Sequence, residues 1–353
     1  MAVAVRVALV AAACAAAGIT VGQLALLHDG WEYLRMGRAF ALWEPHTLAA
    51  DNLRLFPGFP AAIALVSLAQ QPEVSGLAIA ILCGAACGPL LGTLSGDRRL
   101  AWWLVAFTPS WLLYTGTVMS EGLSTLLLLA SLLHATRGRW AAAGLWAGLG
   151  TTVRPVGALL FVPLVLHAVL GPSPRRARGK ALGLLLACGL PWPLLHLAAN
   201  QFLWGDALKS VSDYVAMGRL RWPLEGLIAA TLSPEEDFAK KVLIWGTVAL
   251  ALVAIPGLAR RSDRLLLLTW HTVIALFYLL LPSAWTFGSL DRFYLAVLPT
   301  TLIGLAGWLP RSPCRHGIVL WTLSAAAWLV ALKWLVGLSG VFPFEDRALP
   351  PWP

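Results

Sequence analysis

The sequence predicts an all-α fold, a polytopic transmembrane helical bundle of about eleven crossings at about 20 residues each. Three observations predict it. Hydrophobic residues make up 59% of the chain and charged residues only 12%, with a mean hydropathy of +0.75, whereas a soluble domain carries about 25% charge. Apolar runs close to the length of a crossing follow one another from end to end. The basic residues fall in short clusters between those runs, which is how a membrane protein sets its orientation. The net charge of +9 is therefore orientation charge and not a footprint for a phosphate backbone, so a nucleic-acid partner is excluded. Residues 1–353 read as a single integral-membrane domain, with no linker long enough to tether a soluble one.

The first run, Arg6 followed by Val7 to Leu27, reads as a retained signal-anchor helix. Its alanine-rich stretch also matches a cleavable signal peptide, but it is long enough to span and leads directly into a polar loop. That first external loop, 28–58, gathers acids, arginines and aromatics that the surrounding sequence lacks. Read as a helix from Gly30, its spacing puts Asp29, Glu32, Tyr33 and Met36 on one face and Trp31, Arg35 and Arg38 on the next. Asp29 stands where an N-cap belongs. The same pattern fits an amphipathic helix lying in the interface with its arginines at the headgroups.

Further apolar runs follow at 57–70, 74–95, 101–119, 121–136, 140–152, 155–170, 181–203, 241–259, 265–281, 293–309 and 317–340. The run 57–70 is short for a crossing and suits an interfacial or re-entrant helix, which leaves eleven crossings and an external C-terminus. Basic clusters at Arg137 and Arg139, at Arg175 to Lys180, at Arg260 to Arg264, and at Arg311 and Arg315 are separated by two runs each. All four can then face the cytoplasm. The segments 151–155, 204–240 (the second large external segment) and 283–292 face outward with 28–58. Cys14, Cys83, Cys87 and Cys188 lie inside apolar runs and Cys314 in a basic loop, without the spacing of a zinc or redox motif. No metal site is expected.

The outward side collects the unusual polar residues. Asp29, Glu32, Arg35, Arg38 and Arg54 are joined there by Ser120 and Glu121, Arg154, Asp206 and Asp213, Arg219 and Arg221 with Trp222, and Asp291 with Arg292. Each alone has an ordinary reading: Glu121 as a helix-start acid, Arg154 as a snorkelling arginine, Asp206 as a turn residue, Arg292 as a headgroup anchor. Their gathering on one side from distant parts of the sequence marks a site, because ionisable groups at a membrane edge are costly and tend to be functional.

Read in order, DGWEYLRMG, LRLFPGFPAAIAL, PSWLLYTGTVMSEGL and TTVRPVG resemble the GT-C superfamily of integral-membrane glycosyltransferases. More narrowly they resemble the bacterial relatives of the second mannosyltransferase of GPI-anchor assembly. The matching positions are Asp29, Gly30 and Tyr33, then Phe56, Pro57 and Pro60, then Ser120 and Glu121, then Arg154, Pro155 and Gly157. WGDALKSVSDYVAMGRLRWPLEGLI resembles the family's external segment, and DRFYLAVLP its late Arg-aromatic-Pro element. The chain departs from the pattern at His28, where the family has Trp, and at Arg38, where it has Tyr.

The resemblance implies transfer of a sugar from a polyprenyl-monophosphate donor, the co-substrate, to a lipid-linked or surface glycan acceptor. The transfer takes place on the extracytoplasmic face of a bacterial-type plasma membrane, with inversion and without a cofactor. In that scheme Asp29 is the general base, with Glu32 and Glu121 as the other catalytic acids. Arg154, Arg35, Arg54, Arg219 and Arg221 hold the donor phosphate, and Tyr33, Trp222 and Arg292 contact substrate. Two other classes stay open. A transporter or flippase would use His167, His196 and His271 near the midplane, although no internal repeat is present; a non-catalytic partner in polysaccharide assembly would use none of these. The basic loops generate a direct expectation. A cysteine placed beside Arg176 is shielded from an impermeant thiol reagent in intact cells, and one beside Asp213 is labelled; equal labelling of both would remove the one-sided site.

Overall fold

The computed structural model describes residues 2–27, 29–44, 56–67, 71–171, 174–210, 212, 238–280, 292, 294–309 and 317–341. Among these residues the regular structure is helical throughout. In chain order the helices are α1 (Ala2–Ala17), α2 (Val21–Ala25), α3 (Gly30–Ala41), α4 (Gly58–Ser67), α5 (Pro72–Ser95), α6 (Arg99–Phe107), α7 (Pro109–Thr115), α8 (Glu121–Thr136), α9 (Trp140–Val153), α10 (Val156–Leu159), α11 (Phe161–Leu170), α12 (Arg175–Gly189) and α13 (Pro191–Trp204). Helices Phe238–Ala259, Arg264–Leu280, Leu298–Leu305 and Gly317–Val341 follow. Two compact units are built from them: Met1–Leu126 with Thr152–Arg154 and Pro310–Pro353, and Leu127–Thr151 with Pro155–Leu309.

In the first unit α5 is the axis, packed against α1, α2, α3, α4, α6 and α7. The sequence makes this possible through a stripe of small residues at every fourth position, Gly76, Ala80, Gly84, Gly88 and Gly92, all buried. Small side chains on one helical face let neighbouring backbones approach closely, the usual basis of helix packing in membranes. By contrast Leu65, Val66 and Leu82 of this unit are exposed, as an apolar bundle surrounded by lipid requires.

Where the sequence predicts one helix over 5–27, the chain breaks. It turns at Gly18 (φ +66°) and restarts at Thr20, whose side chain accepts from the Gln23 N–H while Gln23 accepts from the Thr20 N–H. This reciprocal capping box fixes a new helix start, so the expected signal-anchor helix is two pieces. Arg6 is also not a flanking charge. It is fully buried, its Nε donating to Thr115 Oγ1 at 2.7 Å and its Nη1 to the carbonyls of Ala2 at 3.0 Å and Val105 at 3.4 Å. Helix α4, with ten residues, is about 15 Å long, half the hydrocarbon core.

Two helical stretches among the described residues have the length and apolarity to cross a membrane, Pro72–Ser95 and Arg176–Phe202. Length by itself thus marks two crossings. The expected eleven depends on broken pairs, such as α6 with α7, crossing together.

In the second unit the helix Arg264–Leu280 packs against α11 and carries His271. That side chain is buried, with Nδ1 2.9 Å from Thr300 Oγ1 and Nε2 3.0 Å from the Ala251 carbonyl. Both ring nitrogens are occupied within the protein, the arrangement of a structural histidine. His271→Leu therefore lowers the stability of the purified protein by about 1–3 kcal/mol, the cost of abandoning buried polar partners, measured as a fall in thermal midpoint in detergent. An unchanged midpoint would show that these bonds contribute nothing and would reopen a transport role.

Candidate active site

The segments singled out by the sequence meet within the first unit. Helix α3 begins at Gly30 because nothing larger fits there: a Cβ would lie 2.1 Å from the Ala25 carbonyl oxygen and 3.4 Å from Val118 Cβ. The Asp-Gly pair thus seats the start of α3 against α2 and against the segment leading to α8. Asp29 occupies the N-cap position, and its carbonyl accepts from the Tyr33 N–H at 3.0 Å. Its side chain, however, makes no capping hydrogen bond, so the carboxylate is not explained as a cap.

One turn further on the same face, Tyr33 is buried, with its hydroxyl 2.8 Å from Ser120 Oγ. Its ring stands edge-on to Phe59, centroids 5.0 Å apart. Phe59 belongs to the Phe-Pro-Gly-Phe-Pro element at the start of α4. Gly58 in that element lets the backbone approach Thr152, whose Oγ1 and carbonyl oxygen would lie 2.6 and 2.7 Å from a Cβ. Two residues beyond Thr152 is Arg154. Helix α9 stops at Val153, because a residue before proline is forced out of the helical region and Pro155 comes next.

Released from the helix, Arg154 pairs through Nη1 with Glu121 Oε1 and reaches Ser120 Oγ at 3.5 Å. Glu121 is 3% exposed. The result is a continuous network, Tyr33 to Ser120 to Arg154 to Glu121, drawn from three separate segments and clamped by the α4 element. An arginine fork in such a setting is suited to phosphate oxygens. Ser120, the hub, carries no role in the reading of the sequence beyond its place in the Ser-Glu pair; the signal for it was its position beside the acid at a helix start.

Other expected residues are placed differently. Glu32 and Arg35 pair with each other at 3.1 Å, and the Arg35 guanidinium lies 5.6 Å from the centroid of the Trp31 ring. The spacing puts acid and cation on adjoining faces, and the i,i+3 pair bridges them. Helix α3 does not lie loosely in the interface, since Tyr33, Leu34, Met36 and Gly37 are buried. Asp206 is a turn residue, accepting from the Leu208 N–H at 2.9 Å. Arg292 is half-buried in the second unit. Arg54, Asp213, Arg219, Arg221, Trp222 and Asp291 lie outside the described residues. Among the described residues no three His, Cys, Asp or Glu side chains gather as a metal site.

The fold is similar to that of ArnT from Cupriavidus metallidurans. For the structure bound to undecaprenyl phosphate the TM-score is 0.57 at 16% identity, over 88% of this chain and 61% of that one. For the apo state it is 0.55 at 17% identity, over 84% and 58%. The chain spans about three fifths of the length of these structures, and at this identity the likeness is one of fold. No family model and no curated protein matches the sequence. Both structures are of ArnT, so the narrower likeness to the second GPI-anchor mannosyltransferase rests on the motifs alone.

The buried ion pair sets a stability expectation. Removing one partner strands a charge in an apolar interior at about 3–5 kcal/mol, whereas replacing both by apolar groups of similar volume is close to neutral. Arg154→Met alone is therefore strongly destabilising, and the double variant Glu121→Leu with Arg154→Met regains most of the loss. A double-mutant cycle in detergent measures this; simple additivity would mean the two are not coupled.

Proposed function

We propose that the chain is a GT-C-type glycosyltransferase moving a sugar, mannose or a similar hexose, from a polyprenyl monophosphate to a lipid-linked or surface glycan acceptor. The site is assigned to the extracytoplasmic face of a bacterial-type plasma membrane, with the bilayer, the donor and the acceptor as its partners. The observation that carries the reading is the meeting of the Asp-Gly-Tyr, Phe-Pro-Gly-Phe-Pro, Ser-Glu and Arg-Pro elements around the ion pair of Arg154 with the buried Glu121. The ArnT-like fold supports it, since one of those structures holds undecaprenyl phosphate.

In this reading Asp29 takes the proton of the acceptor hydroxyl as its oxygen attacks the anomeric carbon. The bond from that carbon to the phosphate oxygen breaks, and its electron pair leaves with the polyprenyl phosphate. Attack from the opposite side inverts the configuration. Negative charge grows on the departing phosphate, and Arg154 stabilises it. Glu121 and Ser120 hold Arg154 in place beforehand, so the cation need not be ordered when the donor arrives. Arg54, Arg219, Arg221, Trp222 and Arg292 keep the donor and substrate contacts that their sequence positions assign.

A positioned general base contributes about 10² to 10⁴ in rate. Asp29→Asn, which keeps the shape and the capping ability of the side chain, is expected to cut transfer from radiolabelled polyprenyl-phosphate sugars at least about a hundredfold. Glu32→Gln, the rival acid on the same face, whose carboxylate pairs with Arg35, is measured beside it and is expected to lose less. Folded Asp29→Asn protein with full activity would remove the base from Asp29.

Within the same assay Arg154→Lys keeps the charge but loses the fork. It is expected to lower turnover while donor binding persists in weakened form. Normal turnover in Arg154→Lys would sink the phosphate role.

A further inference from the structure

The first unit contains a cavity of about 720 Å³ at the far end of α5 from the Tyr33–Ser120 network. Gly76, which meets Val118 and Leu34, marks the network end of the helix, and Gly92, whose Cβ would meet Arg98, marks the other. The sixteen residues between them correspond to about 24 Å, most of the thickness of a hydrocarbon core. The cavity therefore opens near the opposite membrane surface, at the loop between α5 and α6.

Its floor is apolar and smooth. Ala85, Gly88 and Gly92 of α5 face Ala101 and Val105 of α6 across it, over a length of about 16 Å from Ala85 to Gly96. At the mouth stand Arg98 and Trp102, the latter 43% exposed. An arginine with a tryptophan at the end of a crossing marks headgroup level.

Among the described residues lining the cavity the charged one is Arg98. Among the described residues lining it there is no carboxylate. Asp97, the nearest acid in sequence, is held by the neighbouring Arg99, whose Nε lies 2.9 and 3.1 Å from its two oxygens, and this bond keeps its carboxyl below the usual range. Behind the wall lies a second cation. Arg6 donates through Nη1 to the carbonyls of Ala2 and Val105, both of which line the cavity, and its other terminal nitrogen is buried with no partner. A membrane-embedded guanidinium with an unmet donor raises the positive potential of the space in front of it.

We propose that this cavity is a binding site for an anionic phospholipid, its phosphate at Arg98 beside Trp102 and an acyl chain along the Ala85–Gly88–Gly92 floor. The volume is within the range of ligand cavities, about 300–1,000 Å³. Height and shape point to a lipid of the surrounding leaflet; a soluble anion would have no use for the apolar floor. The site lies at the other end of α5 from the residues assigned to sugar transfer and does not depend on that assignment.

The test uses the full-length purified protein, reconstituted with phosphatidylglycerol or phosphatidylcholine, with lipid retention read by native mass spectrometry and the thermal midpoint measured alongside. Phosphatidylglycerol is expected to be retained about tenfold more tightly than phosphatidylcholine, whose choline cation offsets its phosphate beside Arg98 and Arg6, and to raise the midpoint. Arg98→Gln, at an exposed position, abolishes the preference. Thr93→Trp, which fills the cavity from its exposed edge, lowers retention of phosphatidylglycerol without lowering the midpoint in detergent alone. Equal retention of the two lipids, an unchanged preference in Arg98→Gln, or undiminished retention in Thr93→Trp would overturn the proposal. So would inorganic phosphate matching the stabilisation by phosphatidylglycerol, because that would make the ligand a free anion.

Discussion

The first unit depends on a buried ion pair. Arg154 and Glu121 are 13% and 2% exposed at their side chains, inside a chain that is otherwise strongly apolar. An ion pair in such surroundings recovers the cost of desolvating its two charges only if its geometry is good and its remaining groups are satisfied. The rest of the unit supplies the geometry. Pro155 ends α9 so that Arg154 can turn inward, Gly58 brings α4 against Thr152, and Tyr33 completes the coordination of Ser120. Apolar residues would hold these helices together at less cost, so the arrangement makes sense as a site that has to present a cation.

The two ends of α5 show how one helix serves two environments. The same small-residue stripe lets α2, α3 and α4 close around the network at one end and leaves an open floor beneath Arg98 at the other. Between them Arg6 ties α1 to Thr115, and Thr115 ends α7 just before the segment that delivers Ser120 and Glu121. A charged side chain buried at that point fixes the register of α1 against the segment on which the site is built.

Much of this is legible in the sequence, and the residues say why. Apolar runs at 121–136 and 140–152 coincide with α8 and α9 because their ends carry strong punctuation: Ser-Glu at the start of one, Arg-Pro after the other. The Asp-Gly, Phe-Pro-Gly-Phe-Pro, Ser-Glu and Arg-Pro elements were also readable as a set. What could not be read was their pairing. Glu121 and Arg154 are 33 residues apart, and no local periodicity links them. The break at Gly18 to Thr20 is hidden by the apolarity on both sides, although the Thr-x-x-Gln capping box was present in the sequence. The burial of Arg6 is not legible either, since an N-terminal arginine before an apolar run has the same appearance whether it faces water or the bundle interior.

The central claim is that the cation presented by this network meets a polyprenyl phosphate. Equilibrium binding of labelled undecaprenyl phosphate and of undecaprenol, the same chain without the phosphate, to the purified protein tests it most directly. The account predicts that the phosphate compound binds at least about tenfold more tightly, a difference of roughly 1.4 kcal/mol, and that Glu121→Gln, in its folded fraction, narrows the gap because Arg154 is no longer held. Equal affinity for the two compounds would contradict it.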